Sequence, residues 1–165
     1  MDIKEGQLDD PRVLELLETH VARARAETAP GKAHALDVSG LKTSDIRFFT
    51  LWDGDDLLGC GALKTLSPDH GPNHGEVKSM HTAEARRKSG AGGRILTHMI
   101  SEARAMGLGR LSLETGTWPY FHAAYRFYLR HGFIDCPPFA GYEADPDRRF
   151  MTLDLNAPRP DRNRS

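Results

Sequence analysis

The chain has only two cysteines, Cys60 and Cys136, among its 165 residues. That is too few for a disulfide framework. It has no stretch approaching the ~20 consecutive apolar residues that a membrane-spanning helix needs. Met1-Asp2-Ile3-Lys4-Glu5 is too polar to begin a secretory leader. An excess of one charge is missing too: 22 Lys and Arg stand against 23 Asp and Glu, a formal net charge of −1. No global field therefore draws the chain to nucleic acid or to a membrane surface. These absences predict a cytoplasmic domain with no nucleic-acid and no membrane partner. Among the eight histidines, His70 and His74 have the spacing of a helical ligand pair. Pro68, Gly71, Pro72 and Gly75 deny that segment a helix, and no Cys or carboxylate cluster completes a ligand set, so no metal site is expected.

What remains is enough for one core. Hydrophobic residues make up 39% of the chain, and the length suits one domain, here bounded at residues 1–155. The tail 156–165, with Pro158, Pro160 and several arginines, is expected to be disordered. Strand and helix signals alternate, which predicts a mixed α/β domain. A short strand is expected over 2–6 and a helix over 11–26, where Pro11 suits a first turn and Val13, Leu14, Leu17 and Val21 recur at helical spacing. Residues 28–44 read as irregular. Arg47–Trp52 and Leu57–Leu66 read as strands around the turn Asp53-Gly54-Asp55-Asp56, with Cys60 in the core and Cys136, ahead of two prolines, as a candidate pocket residue. Further strands are expected over 76–82, 110–114, 133–135 and 150–155, and helices over 94–106 and 120–131, the last stopped by Gly132.

Between the strand 76–82 and the helix from Arg94 lies Arg87-Lys88-Ser89-Gly90-Ala91-Gly92-Gly93-Arg94. Strand, basic glycine-rich loop and helix together make a phosphate holder. The first N–H groups of a helix lack intrahelical acceptors and sit at the positive end of its dipole. Glycines let an anion approach them, and Arg and Lys add countercharge. A nucleotide P-loop would continue into Gly-Lys-Ser/Thr, which is missing. A dinucleotide loop would have a third glycine where Ile95 stands.

The stretch does fit Arg/Gln-x-x-Gly-x-Gly/Ala, and it resembles the acetyl-CoA pyrophosphate loop of the GNAT acetyltransferases. Downstream, Ala124-Tyr125-Arg126-Phe127-Tyr128-Leu129-Arg130-His131-Gly132-Phe133 resembles the same family's helix with an aromatic-Tyr pair followed by Gly-Phe. The resemblance runs from about Phe48 to Leu155. His34-Ala35-Leu36-Asp37, Leu58–Leu63, Gly75–Met80, Leu111–Gly116 and Pro138-Phe139-Ala140 are most similar to a bacterial, YsnE-like subgroup. The chain departs from the family at Phe121, where an Asn is frequent.

The resemblance implies an α+β fold with a mixed, mostly antiparallel central sheet flanked by helices. It implies acetyl-CoA as co-substrate and transfer of acetyl to a primary amine of a small molecule or peptide, directly in a ternary complex. Two alternatives are a non-catalytic acetyl-CoA-binding module and an acyltransferase for a larger acyl group. The cofactor contacts implied are Met80, His81 and Thr82 along the pantetheine arm, Arg87, Lys88, Ser89, Gly90, Ala91, Gly92, Gly93 and Arg94 at the pyrophosphate, and Tyr128 at the sulfur. The Met80 N–H would stabilise the oxyanion. As a face of Phe121, Ala124, Tyr125 and Tyr128, the helix alone is equally consistent with a core tyrosine. Deprotonating an alkylammonium of pKa ~10.4 at pH 7 costs about 4–5 kcal/mol, against about 1 for an α-amino group, so a lysine-like acceptor needs a base more than an amino acid does. Glu76 and Glu114 are the candidates, with His81 and His122 behind them. His34, Trp118, Tyr142 and Arg148 are candidate walls of the acceptor site. A homodimer is a further expectation from the family.

Overall fold

The computed structural model describes residues 1–26, 38–83 and 89–156. Period-two alternation in the β-rich segments produces strands with one side chain in two directed to each face. They are β1 (Asp2–Glu5), β2 (Ile46–Asp53), β3 (Asp56–Thr65), β4 (His74–Thr82), β5 (Arg110–Gly116), β6 (Ile134–Asp135) and β7 (Arg148–Asp154). All seven form one sheet in the order β1-β2-β3-β4-β5-β7-β6. Every neighbouring pair is antiparallel except β4 and β5, which run parallel. This is the mixed, mostly antiparallel sheet the sequence predicts.

Helices cover both faces. On one, α1 (Pro11–Ala26) places Val13, Leu16 and Leu17 against Phe48, Trp52, Cys60 and Ala62. On the other, α2 (Ala91–Ala105) places Ile95, Leu96 and Met99 against Phe49, Leu51, Leu63 and Val77. The same core takes in Tyr128 of α3 (His122–Arg130) and Phe133 after it. Each aliphatic side chain so buried contributes about 1.5–3 kcal/mol. Gly61 of β3 lets α2 approach closely: a Cβ there would stand 2.8 Å from both Met99 Cε and Met80 Sδ.

Two boundaries differ from the sequence expectation. Helix α2 begins at Ala91, not at Arg94, because Gly90 takes a left-handed conformation (φ 85°, ψ 3°) that turns the chain into the helix three residues early. The helix expected from Tyr120 is a short 3-10 turn, Pro119–Phe121, before α3 proper. Leu155 is buried, and its N–H bonds Gly109 O, so the fold holds the chain to that point. The expected disorder of the tail concerns residues of which 157–165 lie outside the described set, as do 27–37. Among the described residues no helix is long and apolar enough to cross a membrane.

Candidate active site

Strands β4 and β5 are in register only over His74↔Arg110, Gly75↔Leu111 and Glu76↔Ser112. Beyond that, β4 runs on to Thr82 and β5 to Gly116 without pairing, so the sheet opens between its two parallel strands. What β4 offers to the opening is set by a bulge. Opposite β3 the register passes from Ala62↔Lys78 to Cys60↔His81, leaving one extra residue on β4, and Ser79 there adopts φ 52°. The extra residue shifts the alternation, so Val77 and Met80, three apart, both pack on the α2 core. It shifts the backbone too. His74 O, on the near side of the bulge, bonds β3 through Leu66 N–H, and Ala83 N–H on the far side bonds Leu58 O. Alternation back from Ala83 gives His81 to β3 and turns Met80 and Thr82 N–H and C=O to the opening. His81 therefore does not offer its backbone to the gap, unlike Met80 and Thr82 beside it.

The N-terminus of α2 stands beside this β4 terminus: a Cβ on Gly92 would lie 3.4 Å from Thr82 Oγ1. The first backbone bond of the helix runs from Arg94 N–H to Gly90 O, 3.1 Å. The N–H groups of Ala91, Gly92 and Gly93 precede it and have no intrahelical acceptor. Arg94, expected at the pyrophosphate, thus spends its N–H inside the helix, and its side chain is exposed. Ser89 and Gly90 are exposed just ahead of the helix. Arg87 and Lys88 lie outside the described residues, as does His34.

Helix α3 meets the same place. Phe127 Cζ is 3.4 Å from the Cβ position of Gly92. Tyr128 is buried with its ring against Phe127 and Phe133, at 5.3 and 5.6 Å between centroids. Gly132 ends the helix as expected, and Phe133 N–H bonds Tyr128 O at 3.1 Å, which fixes the turn on which Tyr128 sits. Burial pushes the Tyr128 phenol well above its ordinary value.

On the sheet face away from α2, side chains of β4, β5 and β7 form a buried polar cluster. Glu76 Oε2 accepts from Tyr142 OH at 2.7 Å and from Lys78 Nζ at 3.0 Å, and Lys78 Nζ also donates to Tyr142 OH at 3.0 Å. Tyr142 belongs to the segment before β7 and packs on Phe139 and Phe150. Glu114 is two residues beyond Ser112, the register partner of Glu76, so both carboxylates project from this face. Burial raises the Glu114 carboxyl to about 7, against the pull of Arg148 and Lys78 and with a push from Glu76. Deeper in, His74 Nε2 is 2.7 Å from Ser112 Oγ and its Nδ1 3.2 Å from His70 O. The carbonyl only accepts, so Nδ1 carries a proton and donates to it.

Of the expected acceptor walls, Tyr142 and Arg148 join this cluster, whereas Trp118 donates Nε1–H to Asp147 Oδ1 at 3.1 Å. The two histidines named as reserve bases are turned elsewhere. His81 packs at a tilt against His20 of α1, 4.6 Å between centroids, and His122 Nε2 donates to Thr117 O at 3.1 Å. Lys78 and Ser112 were missed by the sequence reading. Both stand two residues from a named glutamate on the same strand, a signal that alternation carries. Among the described residues no group of side chains suits a metal ion.

The sheet thus opens between two parallel strands, with backbone groups of one lip directed into the opening and the N-terminal turn of α2 at its end. The chain matches the acetyltransferase (GNAT) family over residues 14–133. It is 42% identical over 153 residues to the uncharacterized N-acetyltransferase YedL of Escherichia coli, covering 93% of this chain and 94% of that one. It is 40% identical over 155 residues to the uncharacterized N-acetyltransferase YsnE of Bacillus subtilis, covering 94% and 100%. Among solved structures, an acetyltransferase of Bacillus subtilis in complex with CoA superposes with a TM-score of 0.67 at 19% identity, over 92% of this chain and 97% of that one. This protein belongs to the GNAT acetyltransferase family, in its YsnE-like subgroup, and is an acetyl-CoA-dependent acyltransferase.

Proposed function

We propose that the protein transfers acetyl from acetyl-CoA directly to a primary amine of a small molecule or peptide, with both substrates bound together. The observation that carries this reading is the parting of β4 from β5 after Glu76↔Ser112, with Met80 and Thr82 directed into the gap and α2 starting beside it. The pantetheine arm pairs with Met80 and Thr82 as an added strand would. The pyrophosphate rests on the N–H groups of Ala91, Gly92 and Gly93, with Arg87 and Lys88 as countercharge. Met80 N–H faces the thioester oxygen and stabilises the oxyanion as the amine attacks.

Glu114 is the general base. Glu76 Oε2 already accepts two charge-assisted or phenolic hydrogen bonds, which suits it to orienting Lys78 and Tyr142. A carboxyl near 7 holds its proton weakly enough to ionise at neutral pH and strongly enough to take one from an ammonium. An ammonium of pKa near ~8 then transfers its proton for about 1–2 kcal/mol, and a lysine-like one for about 4–5. The amine attacks the carbonyl carbon, its nitrogen sheds a second proton to solvent, and the tetrahedral intermediate collapses as the C–S bond breaks to leave CoA thiolate. With its phenol raised, Tyr128 acts as a hydrogen-bond donor to that thiolate before it acts as an acid. Trp118, Tyr142 and Arg148 frame the acceptor side.

The test is thiol release from acetyl-CoA across amino acids, polyamines, aminoglycosides and peptides. At least one amine class is expected to give turnover. CoA binding with no transfer to any of them would make the chain a binding module. Tyr128→Phe keeps the ring packed on Phe127 and Phe133, so acetyl-CoA affinity should hold while turnover falls about 10- to 100-fold, the worth of one hydrogen bond to a charged group. Loss of affinity in step with turnover would make Tyr128 a core residue only.

A further inference from the structure

The ring of His131 stands at the entrance of α2. A Cβ on Gly93 would lie 3.5 Å from its Nε2, and the ring packs at a tilt against Phe127 at 4.5 Å between centroids. Phe127 in turn touches the Gly92 position. His131 Nδ1 lies 2.9 Å from Phe127 O. A carbonyl oxygen cannot donate, so Nδ1 keeps its hydrogen in both charge states of the ring. The titrating nitrogen is therefore Nε2, the one beside the first turn of α2. When neutral, that atom presents a lone pair to any phosphate oxygen on the Ala91–Gly93 amides. Once protonated, it presents an N–H and a positive charge.

We propose that His131 is a binding residue for the CoA pyrophosphate and that it takes up a proton from solvent when the cofactor binds. This rests on the reading of the α2 N-terminus as the pyrophosphate site. The bond formed is Nε2–H to a phosphate oxygen, and no covalent bond changes. The ionisable residues on the elements that meet there are Arg94, His98, Glu102 and Arg104 on α2, His122, Tyr125, Arg126, Tyr128 and Arg130 on α3, and His74, Glu76, Lys78 and His81 on β4. Among the described residues Glu102 lies against Arg47 and His98, Glu76 pairs with Lys78, and no carboxylate forms an ion pair with the His131 ring. An arriving diphosphate adds negative charge beside Nε2 and so favours the protonated ring.

The experiment is calorimetric titration of the full chain with dephospho-CoA, whose lack of a 3′-phosphate removes the ligand's own ionisation near neutrality. Heats are measured at pH 7 in two buffers of different ionisation enthalpy, for the wild type and for His131→Gln. Net proton uptake is expected in the wild type and none in the variant, with affinity falling as pH rises from 6 to 8 only in the wild type. At pH 6 the variant should bind about tenfold more weakly, or 1.4 kcal/mol, and at pH 8 almost equally. Equal proton uptake in both proteins, or a pH-independent wild-type affinity, overturns the proposal. No binding of dephospho-CoA or CoA at any pH overturns the donor-site reading itself. If His131→Gln does not fold, the nitrogen-15 shifts of His131 in the intact protein decide. A protonated Nε2 in the complex and not in the free protein supports the proposal, and an unprotonated one in the complex overturns it.

Discussion

The two halves of the opened sheet are built from different materials. On the donor side the groups proposed to hold the cofactor are mainly backbone, the Met80 and Thr82 amides after the Ser79 bulge and three N–H groups released by Gly90, with Tyr128 and His131 as the side chains beside them. On the acceptor side they are side chains, with Glu76, Lys78 and Tyr142 in mutual hydrogen bonds and Glu114 nearby. Backbone groups are the same in every sequence, so a site made of them can persist while residues change. A cluster of buried charges depends on each member. Substitution should therefore harm the acceptor half through each buried side chain, and the donor half through its backbone path and the few side chains, Tyr128 and His131, that stand beside it.

The largest effect is expected at Glu114. Glu114→Gln removes the proposed base and should lower kcat/KM by about 10²–10⁴-fold, leaving CoA affinity unchanged. In the wild type, kcat/KM should fall as pH drops below about 7, where Glu114 is protonated. Stability should move the opposite way. A carboxyl whose pKa is raised from 4.5 to about 7 by folding binds its proton more tightly in the folded state. Its contribution to stability is thus present at low pH and lost as pH rises from about 4.5 to about 7. Glu114→Gln should accordingly be more stable than the wild type at pH 8 and similar at pH 4. A rate profile without that acid limb, or a variant less stable at pH 8, would leave another group as base.

Gly90 tests the donor half. Its φ of 85° costs a non-glycine residue about 1–2 kcal/mol, more with a β-branch, yet no atom lies within 4 Å of where its Cβ would be. Gly90→Val should weaken CoA binding by about tenfold or more through a changed backbone path, with the core intact. Unchanged affinity, measured by calorimetry, would show that the left-handed turn does not position the Ala91–Gly93 amides.

How far each half could be read in advance follows from the same difference. The loop spacing Arg87 to Gly92 and the pair Tyr128 with Gly132-Phe133 pointed to the donor side and the fold, because glycine and aromatic positions record backbone demands. The start of α2 at Ala91 was missed because two glycines in a first turn lower helix propensity, and tertiary contacts of Ala91 and Ile95 outweigh that. The bulge at Ser79 had no signal, since serine rarely takes φ 52° and nothing local requires it. Tyr142 was foreseen only as a loop wall. Its bond to Glu76 spans 66 residues, a pairing set by the β5–β7 register and invisible to any local pattern. Lys78 was legible in principle, two residues from Glu76 on one face.

That long-range bond yields the smallest and most discriminating prediction. Tyr142→Phe keeps the ring on Phe139 and Phe150 but removes the donor to Glu76 Oε2, whose remaining partner is Lys78. Because Lys78 still compensates the charge, the loss should be near the low end of a hydrogen bond to a charged group, about 1.5 kcal/mol. If Tyr142 and Glu76 only staple the segment before β7 to the sheet, the change lowers Tm, and kcat and acceptor KM follow it nowhere. If they shape the acceptor pocket, acceptor KM should rise about tenfold while acetyl-CoA affinity stays constant, because the donor half shares no side chain with this cluster. Steady-state kinetics with each substrate varied in turn separates the two outcomes. An equal loss for both substrates would mean that the halves are mechanically one, and the contrast between them would fail.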